Sequence, residues 1–149
     1  MGSDTKKKIN NRRKSRELIM KSIYRGLVNQ FDVLQIKKDI QEDPDFIRAD
    51  EDFYNKTFVG VVDNFDLLKE EICTYLDRDY KELSPIELSI IFSALYELKF
   101  YIEVPYKVVI NEAIEVAKSF GGSDGFKFIN GVLNKAAKQN RIHEFPQLT

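Results

Sequence analysis

The residues with the clearest chemistry lie near the start of the 149-residue chain, where basic side chains outnumber acidic ones. Residues 1–25 contain nine Lys and Arg against two Asp and Glu, a net charge of +7, so the remaining residues carry −8 of the total of −1. A basic end on an acidic body is typical of a protein that meets a polyanion with one face. A solvated tail is the alternative. Lysine and arginine side chains neutralise phosphates, and arginine offers planar bidentate donors to them.

The sequence offers no sign of catalysis. His143 is the only histidine and Cys73 the only cysteine, and they are far apart in the chain. No metal-ligand spacing, phosphate-binding loop or nucleophile elbow occurs. We therefore predict no enzyme activity, no cofactor and no metal. A single cysteine fits a reducing cytosol, and no apolar stretch is long enough to cross a bilayer, so a cytoplasmic protein is expected.

The basic run continues into the first of several predicted helices. Ile19, Ile23 and Leu27 recur at four-residue spacing, which puts the arginines on the first turns of a folded helix. Asp50 is suited to cap a later helix. The apolar pattern after Asp50 leaves open whether one long helix or two follow. Further helices are predicted at 32–41 and 50–76.

Ser84, Pro85 and Glu87 form the clearest helix start in the sequence. They place a Ser cap, a Pro at the first position and an acid at the third, which is a capping box. The helix that follows is apolar over much of its circumference. We therefore predict that it is the central and most buried helix.

The last part of the sequence predicts an antiparallel pair of helices. Pro105 suits the first turn of one helix, and Gly121 and Gly122 supply left-handed stop positions at its end. Ser123 or Asp124 can cap the next helix. Its predicted apolar stripe is Phe128, Ile129, Val132, Leu133 and Ala136.

These patterns predict an all-α fold, a compact single domain of about six or seven helices. No segment alternates with the period of a strand. Residues 1–10 are predicted to be a disordered basic segment, 11–140 the helical domain and 141–149 a C-terminal tail with a frayed end.

Two motifs, in the same order along the chain, resemble the NusB family of bacterial antitermination factors. The resemblance runs from about residue 12 to residue 137 and is most specific in ELSPIELSIIFSALYEL and in VPYKVVINEAIEVAKSFGGSDGFKFINGVLNK. In the first half, RRKSRELIMKSIY is similar to the basic first helix of the family. The resemblance implies a fold of two packed helical bundles.

The resemblance also implies a function. Members of this family bind the boxA element of nascent RNA as a heterodimer with NusE, a ribosomal protein of the small subunit. That complex, with other Nus factors, modifies elongating RNA polymerase so that ribosomal RNA operons are read through terminators. The implied RNA-binding residues are Arg12, Arg13, Lys14, Arg16, Tyr24, Tyr75, Asp124, Lys127 and Phe128, and the implied NusE-binding residue is Glu87.

Each implied role has a plainer alternative. Tyr24, Tyr75 and Phe128 could stack on unpaired bases, but an aromatic at helical spacing is more often part of a core. Asp124 could serve only as a helix cap. Glu87 could be only the capping-box acid, and no basic cluster lies beside it in the sequence.

Three residues depart from the family pattern. Phe92 stands where family members usually have a basic residue, and Gly125 and Phe126 stand where they have a Ser-His pair. The Phe92 change would alter a partner-facing surface or a buried ion pair. Two other functions remain open, a helical protein-interaction adaptor and the NusB-like RNA-binding domain of ribosomal RNA cytosine methyltransferases.

Overall fold

The computed structural model describes residues 2–120 and 125–146, with side chains from Asn11 onward. Within these residues the chain forms seven α-helices, three short 3-10 helices and no strand, which confirms the all-α prediction. The α-helices are α1 (Gly2–Val28), α2 (Val33–Ile40), α3 (Glu51–Asp63), α4 (Phe65–Thr74), α5 (Pro85–Phe100), α6 (Tyr106–Phe120) and α7 (Gly125–Asn140). The 3-10 helices are Phe46–Arg48, Tyr80–Glu82 and Ile142–Glu144.

Polar caps fix the starts of the short helices. Asp32 accepts a hydrogen bond from the Gln35 amide at the start of α2, and Asp50 accepts one from the Phe53 amide at the start of α3. The region after Asp50 forms two helices, because the backbone leaves helical geometry at Asn64. The Gly60 carbonyl near the end of α3 accepts from both the backbone N–H of Asn64, at 3.0 Å, and the Asn64 side-chain amide, at 2.8 Å.

Helix α5 is the centre of the molecule, as its apolar sequence predicts. The Ser84 hydroxyl caps its first turn, and α1, α3, α4, α6 and α7 all pack against it. Phe92 is fully buried and stacks on Phe65, with ring centroids 4.7 Å apart. Of the two predicted consequences of this departure, the altered partner-facing surface is wrong, because the aromatic ring belongs to the core. The altered buried ion pair stays a prediction.

The helices around α5 bring four helix ends together. Along α1, contacts with α6 advance from Arg13 at Glu112 to Lys21 at the ring of Phe120, so the two helices run in parallel. At the start of α5, Glu87 lies so close to the start of α7 that a Cβ on Gly125 would come within 2.8 Å of its Oε1. The end of α1, the start of α5, the end of α6 and the start of α7 therefore share one end of the molecule.

Residues 141–146, which follow α7, fold back onto the body. The Arg141 side chain is fully buried and donates hydrogen bonds to the carbonyls of Glu97, Leu98, Tyr101 and Val104. These carbonyls belong to the last turn of α5 and to the connection that follows. Arg141 therefore supplies the donors that the end of α5 lacks within the helix.

Some sequence predictions are not tested by the structure. The predicted helix stop at Gly121 and Gly122 and the predicted cap at Ser123 or Asp124 lie outside the described residues. The disorder predicted for residues 1–10 and the domain boundaries at 11 and 140 stay predictions.

Candidate nucleic-acid interface

A groove of about 480 Å³ opens between α7 and the chain that follows α4. Tyr75, Lys127 and Phe128, which the sequence predicts as RNA-binding residues, all line it. The groove therefore combines aromatic surface with positive charge, the two properties that hold single-stranded nucleic acid. The remaining lining residues are Asp77, Arg78, Glu87, Gly125, Gly131, Val132 and Lys135.

Tyr75 is held rigidly at the end of α4. Its hydroxyl donates to the Glu71 carboxylate at 2.7 Å, and Glu71 also accepts from Lys99 at 2.6 Å and from Asn140 at 2.8 Å. Burial and the hydrogen bond to Glu71 both raise the pKa of Tyr75, so the hydroxyl stays protonated. Since the hydroxyl is already engaged, Tyr75 presents its ring rather than its polar end to a ligand.

Phe128 stands at the border between core and groove. It is half-buried and packs against the core, while its ring lies under the guanidinium of Arg78, with Cζ 4.4 Å from the ring centroid. This cation–π contact joins the segment after α4 to α7. Both roles considered for Phe128, packing and base stacking, are therefore compatible with its position.

Glu87 lies where two grooves meet. It lines the basic groove together with Lys127 and Lys135. No basic cluster lies beside Glu87 in the sequence, but the expectation that none lies near it is wrong for the folded chain. Glu87 and Gly125 also line a second groove of about 280 Å³. Its other lining residues are Ser84, Ile86, Ile90, Ala117, Phe120 and Ile129, and all of these except Ser84 have apolar side chains.

The first basic side chains of α1 that the structure describes are paired with carboxylates. Arg12 lies 3.9 Å from Asp50 and over the ring of Phe53, and Arg13 contacts Glu112 at 3.0 Å. The Arg12–Asp50 pair is partly exposed, and pairs of this kind contribute about 0 to 1 kcal/mol, so a phosphate can replace the Asp50 carboxylate at low cost. The Arg13–Glu112 pair differs, because the Glu112 side chain is only 10% exposed. Lys14 is paired loosely, 3.8 Å from both Glu17 and Asp45.

Arg16 differs from its three basic neighbours because its side chain is only 7% exposed. It donates two hydrogen bonds to Glu97, at 2.8 and 3.0 Å, and lies 4.0 Å from Glu112. Burial alone would lower the pKa of the Arg16 guanidinium, but these carboxylates outweigh it and raise that pKa, so Arg16 stays charged. Its position favours a role in holding α1 against α5 and argues against direct phosphate contact.

Tyr24 lies at the same end of the molecule as the groove. It follows Lys21 by three residues and therefore shares a face of α1 with it, and Lys21 contacts Phe120 at the end of α6. Tyr24 is 38% exposed, which leaves part of its ring free to meet a ligand. The distance along α1 from Arg13 to Tyr24 is about 16 Å, so these residues belong to separate parts of the surface.

Asp124 lies outside the described residues.

The structure adds two cations to the groove that sequence reasoning missed. Lys135 follows Lys127 by eight residues, two helical turns, and its Nζ donates to the Tyr75 carbonyl at 3.2 Å. From that spacing the sequence could have predicted that Lys127 and Lys135 lie on the same side of α7. Arg78 lies in a loop, where no periodicity reports direction, so only the folded chain reveals its place over Phe128.

We expect Phe128→Ala to weaken RNA binding by about 1 to 3 kcal/mol, the usual contribution of a base–aromatic stack. Because Phe128 is half-buried, the free energy of unfolding should fall by less than the roughly 3 to 5 kcal/mol of a full core Phe. RNA titration and chemical denaturation of the same variant measure the two effects. Phe126→Ala is the control, since Phe126 also packs on the core but does not line the groove. A core-sized stability loss with unchanged RNA affinity would remove Phe128 from the site.

The fold and the groove together define a class of protein, an all-helical domain with a basic, aromatic surface. The family model described as "NusB family" matches residues 13–138, and the chain belongs to this family. A transcription antitermination protein NusB of Methylobacillus flagellatus is 48% identical over 134 residues, covering 90% of this chain and 87% of the relative. One of Neisseria meningitidis is 48% identical over 133 residues, covering 89% and 94%.

The fold comparison agrees with the sequence comparison. A solved structure of NusB from T. maritima matches with a TM-score of 0.77 at 28% identity, covering 87% of this chain and 92% of that chain. Proteins of this family are transcription antitermination factors and not enzymes, which confirms the predicted family and the predicted noncatalytic role. Among the described residues, no helix is both long and apolar enough to span a membrane.

Proposed function

We propose that this antitermination protein binds boxA RNA together with NusE, and that the complex acts in the cytoplasm on elongating RNA polymerase with other Nus factors. The observation that carries the proposal is the groove at the start of α7, where Tyr75 and Phe128 lie beside three cations. Single-stranded RNA needs both parts, since rings stack on unpaired bases and cations neutralise phosphates. Arg12, Arg13, Lys14 and Tyr24 would extend the RNA-binding surface along α1, and Asp124 stays a proposed contact.

The second groove supports a protein partner at the same end of the molecule. Most of its lining side chains are apolar, Ile86, Ile90 and Phe120 among them, and it adjoins the basic groove at Glu87. An apolar groove with one acid at its edge suits a protein surface better than an RNA strand. NusE bound there would lie next to RNA in the basic groove, so both partners could bind at once.

The proposal is tested by titrating the purified chain with a boxA-containing RNA, alone and in the presence of NusE. We expect NusE to tighten RNA binding and a scrambled RNA of equal length to bind more weakly. A chain that binds NusE but no RNA would instead support the helical protein-interaction adaptor.

Glu87→Lys separates the two partners. NusE association should weaken by about tenfold, equivalent to 1.4 kcal/mol, if the Glu87 carboxylate faces a cation of the partner. RNA binding by the isolated chain should stay unchanged or become tighter, because the new lysine adds positive charge to a groove that already holds Lys127 and Lys135. Glu87→Gln is the control for charge alone. If only thermal stability falls, Glu87 acts merely in capping α5.

A further inference from the structure

Gly131 occupies an unusual position in the middle of α7. Glycine is the poorest helix former after proline, so Gly131 weakens α7 by roughly 1 kcal/mol relative to alanine. Packing supplies no reason here, because a Cβ added to Gly131 would meet no atom of the described residues within 4 Å. By contrast, a Cβ on Gly26 or on Gly60 would collide with the ring of Phe31 or of Tyr96.

The open space above Gly131 belongs to the basic groove. Gly131 lines that groove. It follows Phe128 by three residues and precedes Lys135 by four, so these three residues share one face of α7. Two contacts cross the groove on either side of Gly131. Arg78 lies over the ring of Phe128, and Lys135 donates to the carbonyl of Tyr75. The bare stretch of helix backbone is thus framed by two cations and an aromatic ring.

We infer that Gly131 is a contact residue of the RNA site, whose missing side chain lets the sugar–phosphate backbone of a single strand lie directly on α7 between Arg78 and Lys135. The cations on either side would neutralise the phosphates, and Phe128 would receive the neighbouring base. A ligand that must approach the main chain explains why the helix keeps a residue that weakens it. This inference rests on the proposed function and adds one residue to its site.

Gly131→Ala and Gly131→Leu test the inference, with RNA titration and thermal unfolding as the two measurements. Alanine should raise the melting temperature by about 2 to 4 °C, because it favours the helix and meets no neighbour. Leucine should weaken binding of a boxA-containing RNA by about tenfold to a hundredfold, because its side chain fills the groove. Alanine should weaken RNA binding in the same direction but less.

Asn130→Leu is the matched control, since Asn130 is an exposed residue of α7 that does not line the groove. It should leave RNA affinity within about twofold of the wild type. A folded Gly131→Leu protein that binds RNA like the wild type would overturn the inference while leaving the proposed function intact. A melting temperature lowered by alanine would also overturn it, since the glycine would then serve packing. Failure of the wild type to bind RNA would overturn the proposed function and this inference together.

Discussion

Replacing Arg16 with methionine is expected to lower the free energy of unfolding by about 3 to 5 kcal/mol. The substitution removes a guanidinium that donates two hydrogen bonds to Glu97, which is itself only 2% exposed. Glu97 would be left as a buried charge without its partner, and its desolvation would no longer be offset. Chemical denaturation measures the loss.

A second substitution restores the balance and separates stability from RNA binding. The double variant Arg16→Met, Glu97→Met lacks both charges of this ion pair. An apolar pair of similar volume is often as stable as a buried ion pair. The free energy of unfolding should therefore recover most of the loss. If Arg16 acts only by holding α1 against α5, the double variant should bind RNA like the wild type. A double variant with wild-type stability and tenfold weaker RNA binding would show instead that Arg16 contacts the RNA, as the sequence predicts.

Lys14→Met is the matched control on the same helix. Lys14 forms only loose, partly exposed ion pairs, which contribute about 0 to 1 kcal/mol. Its removal should leave the free energy of unfolding nearly unchanged and should weaken RNA binding slightly. A stability loss as large as that of Arg16→Met would contradict the distinction drawn from burial.

Removing the three groove cations is expected to have the largest effect on RNA binding. Each phosphate neutralised on a single strand contributes about 0.7 to the slope of the logarithm of affinity against the logarithm of salt concentration. Replacing Arg78, Lys127 and Lys135 with glutamine should therefore reduce that slope by about 2. At about 0.1 M monovalent salt, the affinity should fall by about a hundredfold.

The control for this triple variant carries the same change in net charge elsewhere. Lys38, Lys56 and Lys107 are exposed residues of α2, α3 and α6 that do not line the groove. Replacing them with glutamine should change affinity only modestly, through the overall charge of the protein. Equal losses in the two triple variants would mean that RNA responds to net charge and not to this groove.

Local patterns in the sequence determined the helices and much of the core. The Ser84 cap and the following Pro85 predicted where α5 begins, and its apolar circumference predicted its central position, both as observed. These signals depend on residues a few positions apart, which interact within one helix whatever the rest of the chain does. The predicted stripe of α7 is likewise observed, apart from Phe128, which lies half in the groove.

The meaning of individual charges was decided only by tertiary structure. Arg13 and Arg16 look equivalent in the sequence, yet Arg13 is half exposed and Arg16 is buried against Glu97, which lies 81 residues further along the chain. Burial of a charge depends on which distant carboxylate the fold brings to it, and no local pattern carries that information.

The groove itself also required the fold. Phe128, Gly131 and Lys135 share a face of α7 by their three- and four-residue spacing, so the sequence could predict one wall. The opposite wall, Tyr75 and Arg78, comes from the end of α4 and the loop after it. A groove is the space left between two packed elements, so its shape, and the open backbone at Gly131, exist only once those elements have packed.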